Sequence, residues 1–155
     1  MAFTTFSGPV RAGTIKDGAS RNAGLVVLSQ SYDSGDLTGA TQANYDVAAM
    51  ILPAGAQIID ITHDQVVAAT TGTTTISVGT ASGGAQLSAA VATTAGGRFR
   101  GTATAATQLA WQLSTSADTT VYIRDASGGT LTAGRFITTV TYIQRSPAGS
   151  QHPAG

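Results

Sequence analysis

The densest group of titratable side chains in this 155-residue sequence is Asp60, His63 and Asp64, and its spacing decides what chemistry is open to it. Metal ligands or acid–base partners must converge on one point. The three fall in the run 57–69, which reads as a strand, so Asp60 and Asp64 share one face while His63 points to the other. They cannot readily hold one metal ion. Asp46, on the preceding strand, would join Asp60 and Asp64 across a hairpin and make an oxygen-rich site for a hard cation such as Ca²⁺. The plainer reading is three solvated carboxylates on a sheet face. The second histidine, His152, lies in the C-terminal tail.

Other reactive patterns are incomplete. Gly79-Thr80-Ala81-Ser82-Gly83-Gly84 lacks the Lys-Ser/Thr and the helix that would make it a phosphate loop, so it reads as a turn. No Gly-x-Ser-x-Gly occurs, and Ser88, Ser114 and Ser116 have no evident histidine partner. Asp125 with a second carboxylate would be needed for a glycosidase pair, and nothing singles one out. With no cysteine there is neither a disulfide framework nor a thiolate site. These residues point to no catalysis and no cofactor.

The aromatic and basic residues suggest contact rather than reaction. Trp111, between Leu109 and Leu113 at strand spacing, reads as core rather than as a sugar-stacking platform. Tyr122 and Arg124 share a parity opposite to Val121 and Ile123 and project outward, a Tyr-x-Arg pair suited to an interface. Arg98 and Arg100, around Phe99, are placed to face a partner in the same way. These four are the candidate subunit-interface residues.

The elements that must position these side chains are strands. Every acidic residue is Asp, Glu is absent and Lys16 is the only lysine, which removes the usual surface residues of helices. Runs at 25–31, 45–51, 57–69, 75–78, 86–91, 98–104, 109–113, 121–124 and 135–145 are separated by Gly-containing turns. The pair around Pro53-Ala54-Gly55 reads as the clearest local reversal. The last run is apolar on both parities, as expected inside a sheet. The expected fold is all-β: an antiparallel β-sandwich of jelly-roll type with about eight or nine strands. Residues 1–23 read as an extended N-terminal arm, 24–145 as the sandwich and 146–155 as a flexible tail.

Eight basic residues balance eight acidic ones, and only 10% of the chain is charged. That neutrality removes the general attraction to phosphate a nucleic-acid binder needs. The apolar runs are far shorter than the roughly 18 residues that cross a bilayer, and the first residues lack the pattern of a secretory signal. Sheet faces of Thr, Ser, Ala, Gln and Gly suit packing against copies of the same chain. A symmetric homo-oligomer, a trimer by preference, is expected, with residues 1–23 crossing a subunit boundary or docking on a larger structure.

Several segments carry a family resemblance. Phe6-Ser7-Gly8-Pro9-Val10-Arg11-Ala12-Gly13-Thr14, Gly24-Leu25-Val26-Val27-Leu28-Ser29-Gln30 and Leu52-Pro53-Ala54-Gly55-Ala56-Gln57-Ile58-Ile59-Asp60-Ile61 resemble small structural proteins of tailed-bacteriophage heads. Thr73-Thr74-Thr75-Ile76-Ser77-Val78-Gly79-Thr80 and Thr94-Ala95-Gly96-Gly97 fit the same style. What the resemblance implies is a head decoration, or cement, protein, made in the host cytoplasm. It would trimerise on the outer surface of an expanded head and clamp neighbouring major capsid subunits. Phe3, Phe6, Pro9, Val10 and Arg11 would then make the capsid contact. The reading from a different class is a receptor- or carbohydrate-binding sandwich of a fibre or spike, with Tyr122 or Trp111 as platform. A shell or tail-tube component is the further structural alternative.

Overall fold

The computed structural model describes residues 26–39, 44–70, 74–101, 104–112, 117–126 and 128–144. The expected arm 1–23 and tail 146–155 lie outside the described residues. Eight strands and one short helix follow in order: β1 (Val26–Asp33), β2 (Asn44–Leu52), β3 (Ala56–Val67), β4 (Thr75–Gly79), β5 (Ser88–Ala92), β6 (Gly97–Arg100), α1 (Ala105–Ala110), β7 (Thr119–Ala126) and β8 (Arg135–Gln144). They form two antiparallel sheets, β1-β8-β3-β6 and β2-β7-β4-β5. The pairs β1·β8, β2·β7, β3·β6 and β4·β5 each join strands of one sheet, so the described residues form a two-layer antiparallel β-sandwich.

Alternation builds the layer between the sheets. In β8, Phe136, Thr138, Val140 and Tyr142 are buried, while Ile137, Thr139, Thr141 and Ile143 on the other parity are half-buried. In β7, Val121, Ile123 and Asp125 point inward. A bulge at Ile59 resets the phase of β3, so that Ile58 and Ile61, three residues apart, both face the core. Another bulge at Ala49 does the same for Val47 and Met50 of β2. Fully buried Leu52, Ile61, Ile76, Leu87, Ile123 and Phe136 each contribute about 1.5–3 kcal/mol. Gly101 permits a close approach beside this core. A Cβ there would lie 2.7 Å from Ser88 Oγ, and the Gly101 amide donates to the Ile61 carbonyl at 2.8 Å.

Two sequence expectations are corrected. The reversal at Pro53-Ala54-Gly55 is not a hairpin: β2 pairs with β7 in one sheet and β3 with β8 in the other. The turn, with Gly55 at φ +73°, carries the chain between layers. The alternation Leu109, Trp111, Leu113 does not form a strand either. Residues Ala105–Ala110 are helical, because Thr104 caps the helix and Thr107 answers in a reciprocal capping box. Leu109 is consequently 72% exposed and Trp111 only half-buried. The expected strand at 98–104 closes at Arg100.

Candidate docking surface

Among the described residues, no group of three His, Asp or Glu side chains is placed to hold a metal ion. The set Asp46, Asp60 and Asp64 is not brought together, because the two strands that carry it lie in different sheets. Asp46 accepts a hydrogen bond from Ser82 Oγ. Asp64 accepts from Arg98 Nε and Nη2 at 2.5 and 3.0 Å, which holds its carboxyl below the usual carboxylate range. Asp60 lies 3.4 Å from Arg100.

The two perturbed groups of the interior are sealed from substrate. His63 is 1% exposed; its Nδ1 meets Thr138 Oγ1 at 2.9 Å, and its Nε2 has no partner. Burial brings this imidazole down to about 4, so it is neutral at pH 7. Asp125 is 2% exposed, with Oδ1 unpartnered, and burial pushes its carboxyl up to about 6. Asp125 lies inside β7 rather than in the turn after it. Its parity with Val121 and Ile123 was the signal in the sequence that places it inward.

The candidate interface residues fall on opposite sides of the sandwich. Arg98 and Arg100 lie on β6, the edge strand of one sheet, with side chains 70% and 79% exposed. Tyr122 and Arg124 lie on β7, inside the other sheet; Arg124 Nη1 donates to the Gly83 carbonyl at 3.2 Å. The five proposed capsid-contact residues, Phe3, Phe6, Pro9, Val10 and Arg11, lie outside the described residues. Trp111 is not displayed as a platform, since its Nε1 donates to the Leu87 carbonyl at 2.6 Å and its ring packs partly against the core.

Exposed apolar side chains from positions distant in sequence share one end of the sandwich. Seven large apolar side chains are exposed among the described residues, and five of them, Val27, Leu28, Ile51, Ile59 and Leu109, collect at one end of the sandwich. The register places them there. Val27 opposes Ile143 and Gln57 aligns with the same residue, while Ile59 is the bulged residue beyond. Gln112 bridges to Gln57 and the Ile58 amide donates to the Trp111 carbonyl at 2.9 Å, which sets α1 beside this end. Ile51 joins from β2, whose carbonyl accepts from Gln30 Nε2 of β1 at 2.9 Å. Leu28 shares the inward face with buried Tyr142 yet is 42% exposed, so the gap between the sheets is open at this corner. Val26 pairs with Gln144, so both terminal segments attach at the same end.

This arrangement offers apolar contact. No family model matches the sequence, and no curated protein matches it. Among solved structures, the chain is similar to one in the capsid of Helicobacter pylori bacteriophage KHP30, with TM-score 0.49 and 12% identity over 79% of this chain and 94% of that one. It is also similar to a chain of the capsid asymmetric unit of cyanophage Pam1, with TM-score 0.42 and 22% identity over 93% and 99% of the two chains.

Proposed function

We propose that the protein is a structural component of a bacteriophage virion that decorates and stabilises the outside of an expanded head. It binds as a homo-oligomer, a trimer in this reading, across major capsid subunits. The observation that carries the proposal is the presence of five exposed large apolar side chains at the end where both termini attach. The sequence resemblance to phage head proteins, quoted above, supplies the setting. Residues 1–23 extend the contact, with Phe3, Phe6, Pro9, Val10 and Arg11 meeting the shell. Arg98, Arg100, Tyr122 and Arg124 are the residues assigned to contacts between copies.

Three linked copies on a lattice that repeats the same site convert weak single contacts into tight retention, because each later contact forms at high effective concentration. Binding the expanded lattice and not its precursor stabilises the expanded form by mass action. The test is co-sedimentation of the full chain and a chain lacking residues 2–23 with expanded and unexpanded heads. The full chain is expected on expanded heads alone, and the shortened chain on neither while keeping its fold. Binding of the shortened chain at undiminished level overturns the role of the arm; binding of neither chain to any head overturns the function.

A further inference from the structure

The two sheets end in four edge strands, and three of these are blunted. β6 has four residues and carries Arg98 and Arg100, and β5 has only five residues. In β2 a bulge breaks the ladder at Ala49, and the Ile51 carbonyl accepts from Gln30 Nε2 at 2.9 Å. The fourth, β1, pairs with β8 over eight residues in unbroken register and carries no charge before Asp33. Short strands, charges and bulges keep foreign strands off a sheet edge, and from Val26 to Tyr32 this edge has none of them.

The hydrogen-bond phase of β1 follows from its last contact. The Ser34 amide donates to the Phe136 carbonyl at 3.0 Å, so Leu28, Gln30 and Tyr32 make the main-chain bonds to β8. The N–H and C=O groups of Val27, Ser29 and Ser31 therefore point out of the edge, where among the described residues no strand meets them. Their side chains are exposed on the outer face, Val27 at 58%. On the same flank Leu28 is 42% exposed on the inner face, and Ile51 of the other sheet, beside Gln30, is 59% exposed.

An antiparallel second copy of β1 matches this edge. A twofold axis through Ser29, perpendicular to the sheet, sets Ser29 opposite Ser29, Val27 opposite Ser31 and Leu28 opposite Gln30 of the other copy. The outward groups then exchange about six main-chain hydrogen bonds. Such an axis brings a charged residue beside it against its like, and residues 26–32 hold no charge. Because each molecule has one open edge, the pairing closes at two copies and does not run on as a fibre.

We infer that two copies of the chain pair through β1, antiparallel about Ser29, into one continuous sheet β6-β3-β8-β1-β1-β8-β3-β6. The pairing goes beyond the proposed function and leaves room for it. It shields Val27 and Leu28, leaves Ile59 and Leu109 exposed, and uses the edge of the sheet opposite to Arg98 and Arg100.

The mass in solution of the free full chain tests the pairing without any capsid. The parent is expected at an even number of chains. Ser29→Lys and Ser29→Asp each place like charges across the axis and should each halve that mass, whereas Ser29→Thr should keep it. An equal mixture of Ser29→Lys and Ser29→Asp should recover the parent mass, because opposite charges then face each other, a result that a misfolded variant does not give. A parent of one or three chains, an unchanged mass in both charged variants, or a mixture that stays at half mass overturns the inference. Failure to bind heads leaves it standing and bears only on the proposed function.

Discussion

The two ends of the sandwich differ in kind. At the end where β1 finishes and β8 begins, the outer face carries ion pairs: Asp33 with Arg135 at 2.6 Å and Asp64 with Arg98 at 2.5 Å, on either side of Ile137. Polarity continues inside, where His63, Gln65, Thr74, Thr93, Asp125 and Thr138 are all buried. Tyr32 and Tyr45 share a hydrogen bond between hydroxyls, and both rings lie 6.5 Å from Phe136. At the opposite end the interior is Met50, Leu52, Ile58, Leu87 and Val121, and five of the seven exposed large apolar side chains lie there, the other two, Val66 and Val67, belonging to the first end. The surface charges of the first end are paired within the molecule, whereas His63 Nε2, Gln65 Oε1, Thr93 Oγ1 and Asp125 Oδ1 in its interior have no partner. At the second end Val27, Leu28, Ile51, Ile59 and Leu109 are left uncovered, and contact with something else is the economical way to hide them.

The difference predicts where stability resides. Phe136 is fully buried beneath both tyrosines, so Phe136→Ala is expected to cost about 3–5 kcal/mol, seen as a lower denaturant midpoint. Val27→Ser, at the apolar end, should leave the midpoint of the free protein within about 0.5 kcal/mol. Equal losses in the two variants would break the comparison, for they would mean that the apolar end is already packed as tightly as the polar one.

Titration sharpens it next, because both perturbed groups of the interior belong to the polar end. The imidazole of His63 is held down to about 4, so its contribution to stability is present above about 6.5 and is lost as pH falls through 4. Asp125 is raised to about 6, so its contribution is present below about 3.8 and is lost as pH rises through 6. Between pH 4 and 6 the two slopes oppose, each on the order of 3 kcal/mol in total. The wild-type midpoint should therefore change little across that window. In Asp125→Asn stability should fall on acidification, and in His63→Gln it should rise. Denaturant midpoints at pH 4, 5, 6 and 7 read the result, and parallel profiles for the two variants would contradict the assignment.

Most strands were legible because a two-residue period is a local property. The runs beginning near Leu25, Tyr45, Gln57, Thr75, Val121 and Arg135 became β1, β2, β3, β4, β7 and β8. The destination of a strand is not local. The turn chemistry of Pro53-Ala54-Gly55 shows that the chain reverses, whereas its layer depends on pairing with β7 and β8, more than 60 residues away. The same limit dissolved the carboxylate set, since Asp46 shares no sheet with Asp60. Helix α1 was hidden because its capping box uses Thr107 where the usual signature has Glu or Gln, while Leu109 and Trp111 happened to alternate. His63 on the face opposite Asp60 and Asp64 was readable from parity. The apolar end was not, since its members come from positions 27, 28, 51, 59 and 109 and only the rolled topology assembles them.

The smallest expected effect concerns the ion pairs outside the polar end. Arg98 and Arg135 are exposed, and each guanidinium meets its carboxylate directly at the solvent-facing surface, where water and salt screen most of the attraction. The pairs hold the β6 and β1 sides of the sheet in register against β3 and β8, but the backbone ladders already do so. Arg98→Thr, Asp64→Thr and the double variant should therefore unfold at the same midpoint as the parent at 0.15 M salt, with no coupling across the cycle. What changes is assembly: Arg98 is assigned to contacts between copies, so the variants that lose it should show a lower mass in solution than the parent. An unchanged mass in Arg98→Thr and in the double variant would remove Arg98 from that contact and leave the ion pair with Asp64 as its whole role.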